Sequence, residues 1–307
     1  MTLIQRIKKD LETLYNNGQP QDLIKRFNQC KIQEADNLSN ALFGKPGELS
    51  SHGLPGYFTG KREAETVMVM LNPGHDVAGK DDPRTTIDTL KKIGINIYSS
   101  LDEFIRTYME GNRDFGEKQT KPDKFDVKQA TFLKPWDGSG IKFDRFDPTS
   151  DKIKPEDKLN AVKAVLMDKL QLELVPYASR EFNNIKSSKL QCLYPFVETL
   201  LDEIFSKKRT YVIFAGEIFE RLFGNKQKMG EIGASVKFGK KITPRTPFTK
   251  KDGSRSTTSF NCRKIIITYK GNEQDALIAH QYAIQFGGKI FYQYGEFCYK
   301  TYIGSKI

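Results

Sequence analysis

Asn72, His75 and Asp76 are the residues of this chain whose types and spacing point most directly to chemistry. They close the stretch 67–76, VMVMLNPGHD. Its unbroken apolar run, 67–71, reads as a buried parallel strand, and Asn72-Pro73-Gly74 as the turn that ends it. Open α/β sheets hold their ligands just beyond the carboxyl ends of strands. An Asn carbonyl oxygen there can position a water. An Asp carboxylate can activate that water or steady positive charge in a transition state. A His can donate to a phosphate or to a leaving group. The same residues also make an ordinary Asn-Pro-Gly turn, with Asp76 as a helix cap.

Such a site needs neighbouring strands, and the pattern of apolar runs predicts four, at about 66–71, 170–175, 210–215 and 263–269. The second ends in Pro176-Tyr177-Ala178-Ser179-Arg180, the third in Gly216-Glu217, and the fourth in Lys270-Gly271-Asn272. Helical periodicity is expected at 2–17 and 21–32, from Pro83, and from Ser100 to a stop at Gly111. Ser100 and Glu103 make a capping-box pair. Further helices are expected at 159–167, 190–205, 218–223 and 273–286. The tail, 289–302, alternates aromatic and polar residues and suggests a hairpin turning at Tyr294-Gly295-Glu296. Strands alternating with helices imply a three-layer α/β/α sandwich on a four-stranded parallel sheet. Residues 1–56 read as an amino-terminal helical extension. Residues 57–307 read as the α/β domain, with insertions at about 112–157 and 225–256.

Composition narrows the partners. The 307 residues are 38% hydrophobic and 28% charged, as in a soluble globular protein. No apolar run approaches the roughly 20 residues of a membrane span. Charges interrupt the apolar pattern of the first helix, which excludes a signal peptide. The cysteines (Cys30, Cys192, Cys262 and Cys298) are far apart and form no CxxC pair. With only three histidines besides, they predict a cytoplasmic protein without a metal site. Neither a GxxxxGK[ST] loop nor a GxGxxG turn follows a strand, so no nucleotide cofactor is expected. The net charge of +11 favours a polyanionic partner, nucleic acid first. The excess concentrates in 225–256, which carries Lys240, Lys241, Arg245, Lys250, Lys251 and Arg255 and reads as a flexible cationic loop or ribbon suited to DNA phosphates.

Leu71-Asn72-Pro73-Gly74 resembles the first motif of the uracil-DNA glycosylase superfamily, in its Asn-Pro-Gly, mismatch-specific and single-strand-selective form. His75 falls where another branch of that superfamily has a histidine. Phe214-Ala215-Gly216 is similar to the end of the family's third strand. The resemblance spans about 57–288 and implies a four-stranded parallel sheet. It also implies a DNA glycosylase that flips a base out of the stack and leaves an abasic site. It casts Asn72, Asp76 and His75 as catalytic residues. Pro73, Tyr177, Ser179, Lys270 and Asn272 would line the base pocket, with Tyr177 as a stacking ring and Arg180 on the DNA. Two departures stand out. The family's second motif, a His-Pro-Ser type sequence that steadies the departing base, is expected after the last strand, where this chain has Tyr269-Lys270-Gly271-Asn272. Val175-Pro176-Tyr177 replaces the Asn that reads uracil, so uracil is not the expected base. The insertions suggest a bulkier one, such as a hypermodified pyrimidine of phage DNA, and hence antiviral defence. The alternative is a non-catalytic nucleic-acid-binding protein on the same fold. The resemblance requires Asn72, Tyr177, Gly216 and Lys270 at one edge of the sheet; Asn72 and Lys270 at opposite ends would end that reading.

Overall fold

The computed structural model describes residues 1–16, 31–51, 54–71, 100–113, 124–137, 154–166, 168–179, 185–280, 287–305 and 307. The Asn72–Asp76 stretch, the helix expected from Pro83, most of that expected at 21–32, and Arg180 lie outside them. The described elements run α1 (Leu3–Asn16), α2 (Gln33–Phe43), β1 (Phe58–Gly60), β2 (Thr66–Met70), α3 (Leu101–Arg113), α4 (Lys124–Leu133), α5 (Pro155–Leu166), β3 (Lys169–Glu173), α6 (Tyr194–Phe205), β4 (Tyr211–Ala215), α7 (Ile218–Gly224), α8 (Lys226–Glu231), β5 (Ala234–Ile242), β6 (Cys262–Tyr269), β7 (Asn272–Ala279) and α9 (Gly288–Gly304).

The protein is α/β, and its strands form one seven-stranded sheet in the order β1-β3-β2-β4-β7-β6-β5. The middle four, β3, β2, β4 and β7, are parallel. β1 adds antiparallel at one edge, and β6 and β5 add antiparallel at the other. Side chains alternate across a strand, so the continuous apolar run of β2 feeds two cores. Val67, Val69 and Leu71 join Leu170, Leu172, Val212 and Phe214 under α1, α2, α3, α6 and α7. Met68 and Met70 join Ile213, Ala215, Leu277 and Ala279 under α4, Trp136 and α9. Helices therefore cover both faces. No described helix is long and apolar enough to cross a membrane.

Several expectations change. The fourth parallel strand is β7, not 263–269; the latter is β6, which runs antiparallel beside it. Glu273, Gln274, Ala276 and Leu277 favour helix locally. However, Lys270 (φ 49°) and Gly271 (φ 81°) form a two-residue reversal that pairs Tyr269 with Asn272 and lays the segment onto the sheet. The 225–256 segment is not a loop throughout: it contains α8, β5 and a tight turn at 249–255. The 112–157 insertion contains α4 and buries Trp136. Ser100 does cap α3, accepting from the Glu103 amide at 3.2 Å. Gly111, by contrast, does not stop α3, which continues to Arg113.

The tail is helix α9 rather than a hairpin, and Gly295 explains the misreading. It is not a turn glycine but the point where α9 crosses α4, and a Cβ there would run into the Phe132 carbonyl. Gly295→Ala should therefore lower stability by about 3 kcal/mol through overpacking, despite alanine's better helix propensity. Chemical denaturation of the variant checks this; unchanged stability would remove the close crossing.

The amino-terminal helix belongs to the main core, with Ile7, Leu11 and Leu14 fully buried. Its Asp10 accepts hydrogen bonds from the hydroxyls of Tyr57 (2.8 Å) and Tyr177 (2.9 Å). Burial pushes the Asp10 carboxyl up to about 6, against the pull of the two tyrosine bonds. A folded value above the unfolded 3.8 means that ionisation opposes folding, so this group's contribution falls as pH rises from about 4 through 6. Asp10→Asn should thus be more stable than the parent above pH 6, by up to about 3 kcal/mol. The difference should close below about pH 4. Paired thermal melts across that range decide it.

Candidate functional site at the carboxyl edge of the parallel strands

Backbone contacts bring the four parallel strand ends into line. Val175 donates to the Leu71 carbonyl at 2.9 Å, which carries β3 beyond its last ladder pair to the level of Leu71. Gly216 donates to the Ala279 carbonyl, also at 2.9 Å. Between these pairs the Leu71 side chain lies over Gly216, where an added Cβ would approach Leu71 Cδ2 to 3.2 Å; Gly216 also has φ +140°. Only glycine meets both demands. The row is Val175, Leu71, Gly216, Ala279, and the residues that follow it in the chain are Pro176, Asn72, Glu217 and His280. Two strand spacings of about 4.8 Å separate β2 from β7, or about 10 Å between the ends of the two strands.

The antiparallel strands close one side of this row. Cys262 pairs with Ala279 and Ile242 with Cys262, which brings Asn261 and Lys241 to the same end of the sheet. A bulge between Phe238 and Lys241 re-aims the end of β5. Glu217 accepts from Lys241 at 3.1 Å and from Asn261 Nδ2 at 3.2 Å. Those bonds, Lys241 first, hold its carboxyl below the ordinary range. The His280 amide donates to the Tyr294 hydroxyl at 2.5 Å, and that hydroxyl donates to the Asn261 carbonyl at 2.6 Å. The imidazole meets the Phe260 ring edge-on, with centroids 5.5 Å apart. Its Nδ1 is buried with no hydrogen-bond partner among the described residues. Burial lowers the imidazole pKa from its usual 6.5, against the opposing charge of Glu217, so the ring is neutral at pH 7. An ionised carboxylate and a neutral imidazole thus stand at one strand edge, able to offer a hydrogen-bond donor and to position polar groups.

Of the residues expected to act, only some belong here. Asn72, Pro73, His75, Asp76 and Arg180 lie outside the described residues. Tyr177 and Ser179 follow the β3 end but are only 1% and 3% exposed. Tyr177 bonds Asp10 and meets Phe196 edge-on, while Ser179 bridges to Leu49. Tyr177 is a core residue, and its ring offers no face for a base. Lys270 and Asn272 occupy the β6–β7 turn at the amino end of β7, opposite the row. Lys270 instead binds Asp202 at 2.7 Å. The requirement that Asn72 and Lys270 share an edge therefore fails, because 263–269 is not the last parallel strand. Lys241 is committed to Glu217 and Glu220, so it is not a free DNA contact. Lys240, Arg245, Lys250, Lys251 and Arg255 are exposed.

Sequence reasoning missed His280 and Asn261. His280 had a signal, since it is one of three histidines and directly follows the apolar run 276–279. Among the described residues, no group of three or more His, Cys, Asp or Glu side chains could hold a metal ion. Comparison with known proteins finds no family model, no curated protein and no solved structure that matches this chain.

Proposed function

We propose that the protein is a DNA glycosylase of the uracil-DNA glycosylase type, acting on a flipped non-standard base. The observation that carries this reading is His280. With β7 as the last parallel strand, the position beyond it, where the resemblance expects a histidine to steady the departing base, holds His280 rather than Lys270. Lys270 lies at the opposite end of the sheet from the Leu71 end of β2, which ends the reading that takes 263–269 as the last parallel strand and Lys270 and Asn272 as pocket residues; the present reading rests on β7 in that place. What supports the present version is the four-strand parallel core, the Asn-Pro-Gly sequence following β2, and His280 about two strand spacings away.

The chemistry divides across that gap. Water adds to C1′ of the sugar while the C1′–N bond breaks, its electron pair leaves with the base, and the proton lost by the water ends on that base by way of solvent. Asn72 holds the water, and Asp76 steadies the positive charge building on the sugar. His280, neutral, donates a hydrogen bond to the base as negative charge develops on it. Glu217, fixed by Lys241 and Asn261, is a positioning group beside that imidazole. β5 ends at this end of the sheet, and the chain runs on from it into the basic segment of Arg245, Lys250, Lys251 and Arg255, which would meet the phosphates of a DNA strand presenting its base.

The substrate class favoured is a bulky modified pyrimidine, of the kind found in phage DNA, with antiviral defence as the role. Incubation with a panel of genomic DNAs, including phage DNAs with modified bases, should yield alkali-labile sites in at least one. Binding throughout the panel without such sites would assign the protein to non-catalytic nucleic-acid binding.

A further inference from the structure

The most basic stretch of the chain is built rather than loose. Thr249 pairs with Arg255, the Lys250 amide donates to the Ser254 carbonyl at 2.8 Å, and Asp252 accepts from both the amide and hydroxyl of Ser254. The base of this turn is clamped to α9. The Thr249 amide donates to Gln293 Oε1 at 3.0 Å, and Gln293 Nε2 returns a bond to the Thr249 carbonyl at 2.9 Å. Phe248, beneath it, packs against Phe260, Tyr294 and Phe297.

Between the turn and the first turn of α9 lies a cavity of about 400 Å³. Its lining includes Lys250, Lys251 and Lys289, which carry ammonium groups, and Ser256, Thr257 and Thr258, which carry hydroxyls. Among the described residues, none of those lining it is acidic. Point charges with several rotatable donors suit a tetrahedral anion with many acceptor oxygens. The clamp means that little ordering is needed on binding. The cavity is roomier than a phosphate group alone requires. It is also tied to the strand-end row, since Tyr294 bridges His280 and Asn261 and packs on Phe248 and Phe260.

We infer that this cavity seats one backbone phosphate of the DNA strand, with its sugar, next to the nucleotide presented at the strand-end row. The identity of the polymer rests on the glycosylase reading; the anion chemistry does not. A fixed phosphate seat would set which nucleotide reaches the row, a positioning task distinct from base recognition.

The test uses the full chain and an unmodified deoxyoligonucleotide, with inorganic phosphate as a second probe. Lys289→Ala and the Lys250→Ala/Lys251→Ala pair should each weaken oligonucleotide binding at least tenfold at low salt. They should also flatten the slope of log affinity against log salt by roughly 0.7–0.9 per lost contact. The phosphate-induced shifts of amide signals from 256–258 should vanish in both. Lys270→Ala, at the opposite end of the sheet, should bind as the parent does, and thermal melts confirm that all three variants fold. Parent-like binding by Lys289→Ala, or an equal loss in Lys270→Ala, overturns the seat. Phosphate binding lost without any change in oligonucleotide affinity also overturns it as a DNA site. Reduced binding in the cavity variants beside a parent that releases no base upholds the seat and defeats the glycosylase reading. Parent-like affinity in Lys289→Ala with active base release does the reverse.

Discussion

Asn72→Ala is expected to lower base release by about a hundredfold or more while leaving DNA affinity near that of the parent. A group that only holds the attacking water acts in the transition state and contributes little to ground-state binding. A polar residue just beyond a strand end also supplies little core packing, so the fold should survive the change. Asp76→Asn should reduce turnover less, if its part is electrostatic support alone. Single-turnover rates and binding isotherms on the same substrate separate the two effects. Undiminished release by Asn72→Ala would take the water-holding role away from Asn72, with Asp76 the next residue to test.

His280→Ala should cost about as much, on the order of a hundredfold, because a preorganised donor to developing negative charge is among the larger single contributions to catalysis. The conservative His280→Gln keeps a donor and should recover part of the rate. The pH profile carries the sign. The imidazole pKa is lowered by burial, so the neutral ring predominates above a value below 6.5 and is lost only as pH falls through it. If neutral His280 is the donor, the parent rate should decline on that acidic side, and His280→Gln should lack this limb. A limb that persists in the variant would belong to another group. A purely structural role would lower stability without moving the profile.

Much of the fold was legible because burial on two faces leaves an unmistakable pattern. The runs at 67–71 and 211–215 are apolar without interruption, as strands covered on both sides must be, while 170–175 alternates leucines with Gln171 and Glu173; all three belong to parallel strands of the core. The fourth was misread because β7 is composed of helix formers and only its carboxyl half is buried. Its partner, β6, has the stronger apolar run. Lys270-Gly271 between two such runs was the available clue, since a two-residue reversal with glycine makes the flanking strands antiparallel. That one misplaced strand carried the site with it. A residue at a strand end faces the ligand edge only if its strand runs with the others, so Lys270 was proposed and His280 was passed over. Tyr177 was misplaced for a different reason: its hydroxyl partner, Asp10, lies 167 residues away on α1, a contact that no local pattern announces. The basic segment was legible as a charge excess but not as a clamped turn, because the clamp comes from Gln293 on α9.

The central claim is that base release occurs at the strand-end row holding Asn72 and His280. The most direct measurement is mass spectrometry of the small-molecule fraction after incubation with phage DNA rich in modified pyrimidines, run in parallel with the parent, Asn72→Ala and His280→Ala. The account predicts one free base per abasic site from the parent and almost none from either variant at equal DNA binding. Equal amounts of free base from all three, or DNA bound by the parent with neither free base nor abasic sites formed, would contradict it.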